Sequence, residues 1–182
     1  MCHASGLPSA PVLTKIHPAK NSRLNWSLPV LLFDGHLDLA LNGVDWNRDL
    51  RCEVDDLRAQ ERALGMTDPG RCGSTLSFPE LRRAEIGLCL STLLARQEKE
   101  INHSFGWTTP QTCYAMAHAH LAWHRAMERA GYLRSIRTKQ QLEFHVEDWK
   151  SHPQTAPLGF IQTMEGADPL LVPDTVNEFY EH

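Results

Sequence analysis

The sequence predicts an α/β domain built on a parallel sheet, and two observations carry that reading. Three apolar runs, over residues 30–39, 86–95 and 158–164, alternate with stretches that suit helices. The first and third runs lead into side chains able to hold a metal, His36 and Asp38 after the first and Glu165 after the third. Parallel α/β sheets place their chemistry at the C-terminal ends of their strands.

Each element has its own local signal. Residues 1–28 hold Pro8, Pro11 and Pro18 among polar residues and read as a loosely packed arm ahead of a domain over 29–182. Val30 to Phe33 is an unbroken apolar run closed by Gly35, as expected of a strand buried on both faces. Asn42-Gly43 opens a loop over 41–51, and residues 55–64 suit a helix ended by Gly65. A short Pro-led helical turn over 79–84 precedes the second strand, and 96–108 reads as a polar loop. Thr109-Pro110 supplies an N-cap and a first helical residue for a helix that Gly131 ends. On that helix Tyr114, Ala117, Leu121 and Arg125 share one stripe, and Ala115, His118, Ala122 and Met127 share another. Residues 132–137 can extend, and Thr138 caps a helix reaching about Trp149. The third strand follows, and 175–182 begin a last helix.

Composition narrows the function classes. The chain has 182 residues, 42% hydrophobic and 22% charged, which suits one soluble domain with a sizeable core. A net charge of -4 gives no footprint for nucleic acid or a polybasic membrane contact. No apolar run approaches the roughly 18 residues of a membrane span, and the start lacks the apolar core of a signal peptide. Five cysteines, without C-x-x-C spacing, argue against both a disulfide framework and a cysteine zinc knuckle. A cytoplasmic location is the expectation.

Side chains at i and i+2 of a strand point the same way, so His36 and Asp38 project together. An imidazole beside a carboxylate is half of a zinc site, and its blander reading is a hydrogen-bonded pair finishing a strand. Glu165, between a buried strand and Gly166, favours the metal reading over that of a loop carboxylate. His120 and His124 have i, i+4 spacing, but a metalloprotease helix needs Glu after the first histidine and here Leu121 follows. They are expected at the edge of a mixed helix face. His103 reads as a solvated loop histidine and Cys89 as a small buried hydrophobe.

Two blocks, Phe-Asp-Gly-His-Leu-Asp-Leu at 33–39 with Asp-Trp-Asn-Arg-Asp-Leu at 45–50, and Gly-Phe-Ile-Gln-Thr-Met-Glu-Gly-Ala-Asp-Pro-Leu at 159–170, resemble the membrane dipeptidase (renal dipeptidase) family of zinc metallopeptidases. The resemblance implies a (β/α)8 TIM-type barrel that hydrolyses dipeptides at a dinuclear zinc site. It makes His36 and Asp38 ligands of the first metal and Glu165 the carboxylate bridging two zinc ions. Trp46 would line the substrate pocket or pack as a loop aromatic. Leu37 stands where the family has Asn, at a position pointing away from the metal. A (β/α)8 barrel takes about 250 residues, and the family's later histidine-bearing strands have no counterpart here. The chain is therefore expected to be the N-terminal part of such a barrel, from a truncated or split gene, with little activity alone. Self-association or a complementing C-terminal chain is expected with it. Two rival readings are a non-catalytic remnant and a different metal-dependent amidohydrolase.

Overall fold

The computed structural model describes residues 30–98 and 106–181. The N-terminal arm and His103 lie outside them. The strands are β1 (Leu32–Leu37), β2 (Ile86–Leu94), β3 (Arg96–Gln97), β4 (Gly106–Trp107), β5 (Leu133–Ser135) and β6 (Leu158–Glu165). The helices are α1 (Val54–Ala63), α2 (Phe78–Arg83), α3 (Pro110–Arg129), α4 (Lys139–Ser151) and α5 (Thr175–Tyr180), and a π-turn covers Leu41–Asp45. One parallel sheet runs in the order β1-β2-β6-β5, and β3 pairs with β4 in a separate two-stranded ladder.

The α/β class and the parallel sheet are as expected, and the described sheet is open and closes no barrel. Two expectations need correction. Residues 96–108 are not wholly loop, because their ends pair as β3 and β4. Nor is β1 buried on both faces. It is an edge strand among the described residues, and Leu32 and Phe33 are 47% and 54% exposed. An apolar run records that a strand can be buried, whereas burial itself depends on which neighbours cover it.

Local chemistry explains the helix limits. Thr109 Oγ1 accepts from Thr112 N–H at 3.2 Å, and Pro110 begins α3. Gly131 follows with φ +81°, a conformation that suits glycine. Thr138 and Gln141 close a full capping box on α4, each side chain bonding the other's backbone N–H. The buried face of α3 carries Cys113, Ala117, His120, Leu121 and His124, a stripe rotated from both expected ones. His120 and His124 are therefore interior residues rather than edge ones.

Register sets which side chains share a face. Thr92 pairs with Thr163 and Leu94 with Glu165, so these four point to one side of the sheet. Cys89, Ser91 and Phe160 point to the other, where Leu39, Leu57, Leu81 and Leu133 complete a core beneath the helices. Across the N-terminal ends of the strands lies α4. Trp149 Nε1 donates to Val30 O at 3.3 Å, and His145 Nε2 lies 2.7 Å from Gly87 O. That close approach requires small residues: a Cβ on Gly159 would sit 2.5 Å from His145 Nε2. With that end closed by packing, the C-terminal end of the sheet is left for chemistry.

Candidate metal centre

Asp34 pairs with Cys89 and Leu37 with Ser91, so β1 uses three steps where β2 uses two. The extra residue is a β-bulge at Gly35-His36, a device that re-aims a side chain at a strand end. Leu37 thus faces the helices and packs against the core, while its neighbours His36 and Asp38 turn to the face that carries Glu165. Asp34 Oδ1 accepts the backbone N–H of His36 at 2.9 Å and fixes the bulge.

The three side chains meet. His36 Nε2 is 3.3 Å from Asp38 Oδ1 and 3.1 Å from Glu165 Oε2, and one ligand atom from each residue lies within 4.8 Å of the others. Zinc bonds of about 2.0–2.2 Å in a tetrahedral shell put neighbouring donors roughly 3.3–3.6 Å apart, so the two separations from His36 are close to those around one ion. Asp38 Oδ1 is buried, and its 3.3 Å contact with His36 Nε2 is not a well-formed hydrogen bond, an arrangement that a cation would complete. Burial pushes the Asp38 carboxyl above its ordinary range; His36 opposes this and the nearby Glu165 adds to it. His36 and Glu165 are about half exposed at 54% and 51%, so the centre has an open side for water or a ligand.

The remaining expected site residue is held differently. Trp46 is buried, with the guanidinium groups of Arg48 and Arg71 on its ring at 4.6 and 4.5 Å from the centroid. A Cβ on Gly70 would meet the same ring at 2.9 Å. Trp46 is thus packed inside the loop that leaves β1.

Two buried polar chains escaped the sequence reading. In the first, Ser91 Oγ lies 2.7 Å from His124 Nε2, and His124 Nδ1 lies 2.8 Å from the carbonyl of His120. A carbonyl only accepts, so Nδ1 carries the proton and Nε2 accepts from Ser91. Burial lowers the His124 pKa to about 4, which keeps it neutral. His120 Nε2 in turn lies 2.6 Å from Asp45 Oδ2. In the second, Arg48 pairs with Glu61, both more than nine-tenths buried. Burial opposes ionisation of Glu61, but hydrogen bonds from Arg48, Cys72 N–H and Arg71 outweigh it and hold its pKa near 2. The available signal was the i, i+4 pair His120/His124 flanking Ala117 and Leu121, a stripe too apolar to be a solvated edge. For Arg48 and Glu61 the sequence offered none, since their burial depends on chain folding over from Gly70 to Cys72.

No family model matches the chain, and no curated protein matches it. The solved structures that share its fold include two metallopeptidases. One is the dipeptidase AC, a metallopeptidase, with a TM-score of 0.52, 19% identity and 84% of this chain covered. The other is a metallopeptidase from Rhodobacter sphaeroides liganded with a phosphinate mimic of the dipeptide L-Ala-D-Ala, with a TM-score of 0.56, 16% identity and 84% covered. The matches span 40% and 43% of those two chains, so this one corresponds to about two fifths of each.

Proposed function

We propose that His36, Asp38 and Glu165 hold zinc and that the chain carries this part of a dipeptidase-like, metal-dependent hydrolase. The observation that carries the reading is the convergence of one imidazole and two carboxylates from β1 and β6 at donor spacings suited to one ion. A fold shared with two metallopeptidases supports it.

Zinc bound here would lower the pKa of a bound water and polarise a scissile carbonyl. The chain's own residues set the conditions for that. His36 offers Nε2 as a neutral ligand from the bulge that Asp34 fixes. Asp38 and Glu165 supply negative charge to balance the cation, and a carboxylate such as Glu165 has two oxygens with which to bridge a pair of ions. A dinuclear centre of that kind is part of the proposal, with the second ion needing imidazoles beyond these three ligands. Trp46, clamped between Arg48 and Arg71, shapes the loop beside the centre.

The test uses a phosphinate dipeptide mimic, whose oxygens bind zinc directly. A zinc-dependent shift of its phosphorus resonance on adding the 182-residue chain, absent with Glu165→Ala, is the expected result. Turnover by this chain alone is expected to be low, because the described residues bring three ligands to the centre. No zinc-dependent shift, or the same shift with Glu165→Ala, would contradict the assignment.

A further inference from the structure

Asp38 presents a problem of placement. Its carboxylate must hold a fixed direction if it is to ligate, yet Oδ1 has only a poorly formed 3.3 Å contact with His36 Nε2, and His36 is itself a proposed ligand. A side chain without outer hydrogen bonds takes its direction from its backbone. The carbonyl of Asp38 is gripped twice by one residue: Asn42 donates to it from its backbone N–H at 3.1 Å and from its side-chain Nδ2 at 2.9 Å. Asn42 is held in its turn. Arg48 Nη1 donates to Asn42 Oδ1 at 2.7 Å, and Arg48 N–H donates to the Asn42 carbonyl at 3.1 Å. That contact also orients the amide, since an oxygen facing Arg48 leaves the NH₂ facing Asp38. Arg48 is fixed by Glu61, with Nε at 2.8 Å from Oε1, and by Gly70 O at 2.9 Å from Nη2.

Resting on the zinc reading of the centre, we propose that Asn42 is a positioning residue for the ligand Asp38, and that the buried Arg48–Glu61 pair is the anchor that aims it. A buried ion pair is often no more stabilising than apolar residues of the same volume, so stability alone gives little reason to keep one here. This pair sits behind a two-link chain that ends on the backbone of a proposed metal ligand. From the other side, His120 and Asp45 lock the end of the same turn at 2.6 Å. Outer hydrogen bonds that orient ligands commonly matter tenfold to a hundredfold for metal affinity. Here the orientation is delivered through the main chain instead of the carboxylate.

The test compares zinc affinity by chelator competition with the visible spectrum of the cobalt-substituted protein. Asn42→Ala is expected to weaken zinc binding about 10- to 100-fold and to change the cobalt spectrum, because the ligand geometry is altered. Thr138→Ala, which weakens the α4 cap away from the centre, is the control: it lowers the melting temperature and leaves affinity and spectrum unchanged. Arg48→Lys keeps the charge but not the planar fork, and is expected to fall between wild type and Asn42→Ala; it also serves if Asn42→Ala fails to fold. Wild-type affinity and spectrum in Asn42→Ala or, should that variant not fold, in Arg48→Lys would overturn the positioning role alone. Absence of zinc binding by the wild type would overturn the zinc reading together with it.

Discussion

Glu61 and His124 are charged and neutral, respectively, for opposite reasons, and both make the fold sensitive to acid. Glu61 has its pKa lowered from 4.5 to about 2, so its stabilisation is complete above about 4.5 and is lost as pH falls towards 2. His124 has its pKa lowered from 6.5 to about 4, so the unfolded chain binds the proton first and stability falls between those values. The buried His145 is shifted in the same direction by burial and adds to that window. Melting temperature is therefore expected to drop in two stages as pH is lowered, the first beginning near 6.5. Calorimetric scans from pH 8 to pH 3 check this, and a flat profile between 6.5 and 4 would rule out a buried neutral His124. At this scale the sequence was legible where two neighbours in the chain share a task, as with His36 and Asp38. It was illegible for Arg48 and Glu61, whose partners come from Gly70 and Cys72.

At the scale of elements, helix ends were readable because caps are local. Thr138→Ala is expected to lower stability by about 1 kcal/mol, read as a fall of about 2–4 °C in melting temperature for a chain of this size. The packing of α4 against the strand ends is non-local and makes a second prediction. Gly159→Ala places a methyl group 2.5 Å from His145 Nε2 and 2.8 Å from Ile136 Cδ1. The resulting overpacking is expected to cost about 1–3 kcal/mol, measured by urea unfolding. Loss of less than a few tenths would mean that α4 gives way easily. The short strands β3 and β4 were hard to read, since two residues carry no period and become strands only by pairing, whereas β5 falls within the stretch 132–137 expected to extend. Likewise the β1 bulge appears only in its register with β2.

Over the whole molecule, the described sheet has an unpaired outer edge on β1 and exposes Leu32 and Phe33. At its other side β5 covers only the first residues of β6, so Ile161 to Glu165 lack a strand partner there among the described residues. A cavity of about 360 Å³ opens beside that free edge, lined by Ile161, Met164, Val176 and Phe179 among others. Open edges and exposed apolar side chains promote association. Sedimentation of the 182-residue chain is expected to show concentration-dependent self-association, reduced by Phe33→Lys; a monomer at all concentrations would contradict this.

The direct test of the central claim is zinc titration of the purified chain against a chromophoric chelator. One tightly held zinc per chain is expected, with affinity reduced by about 100-fold or more in each of His36→Ala, Asp38→Ala and Glu165→Ala, since losing a ligand should cost at least as much as losing its support. A wild type that takes up no zinc, or a triple variant that binds as tightly as wild type, would contradict it.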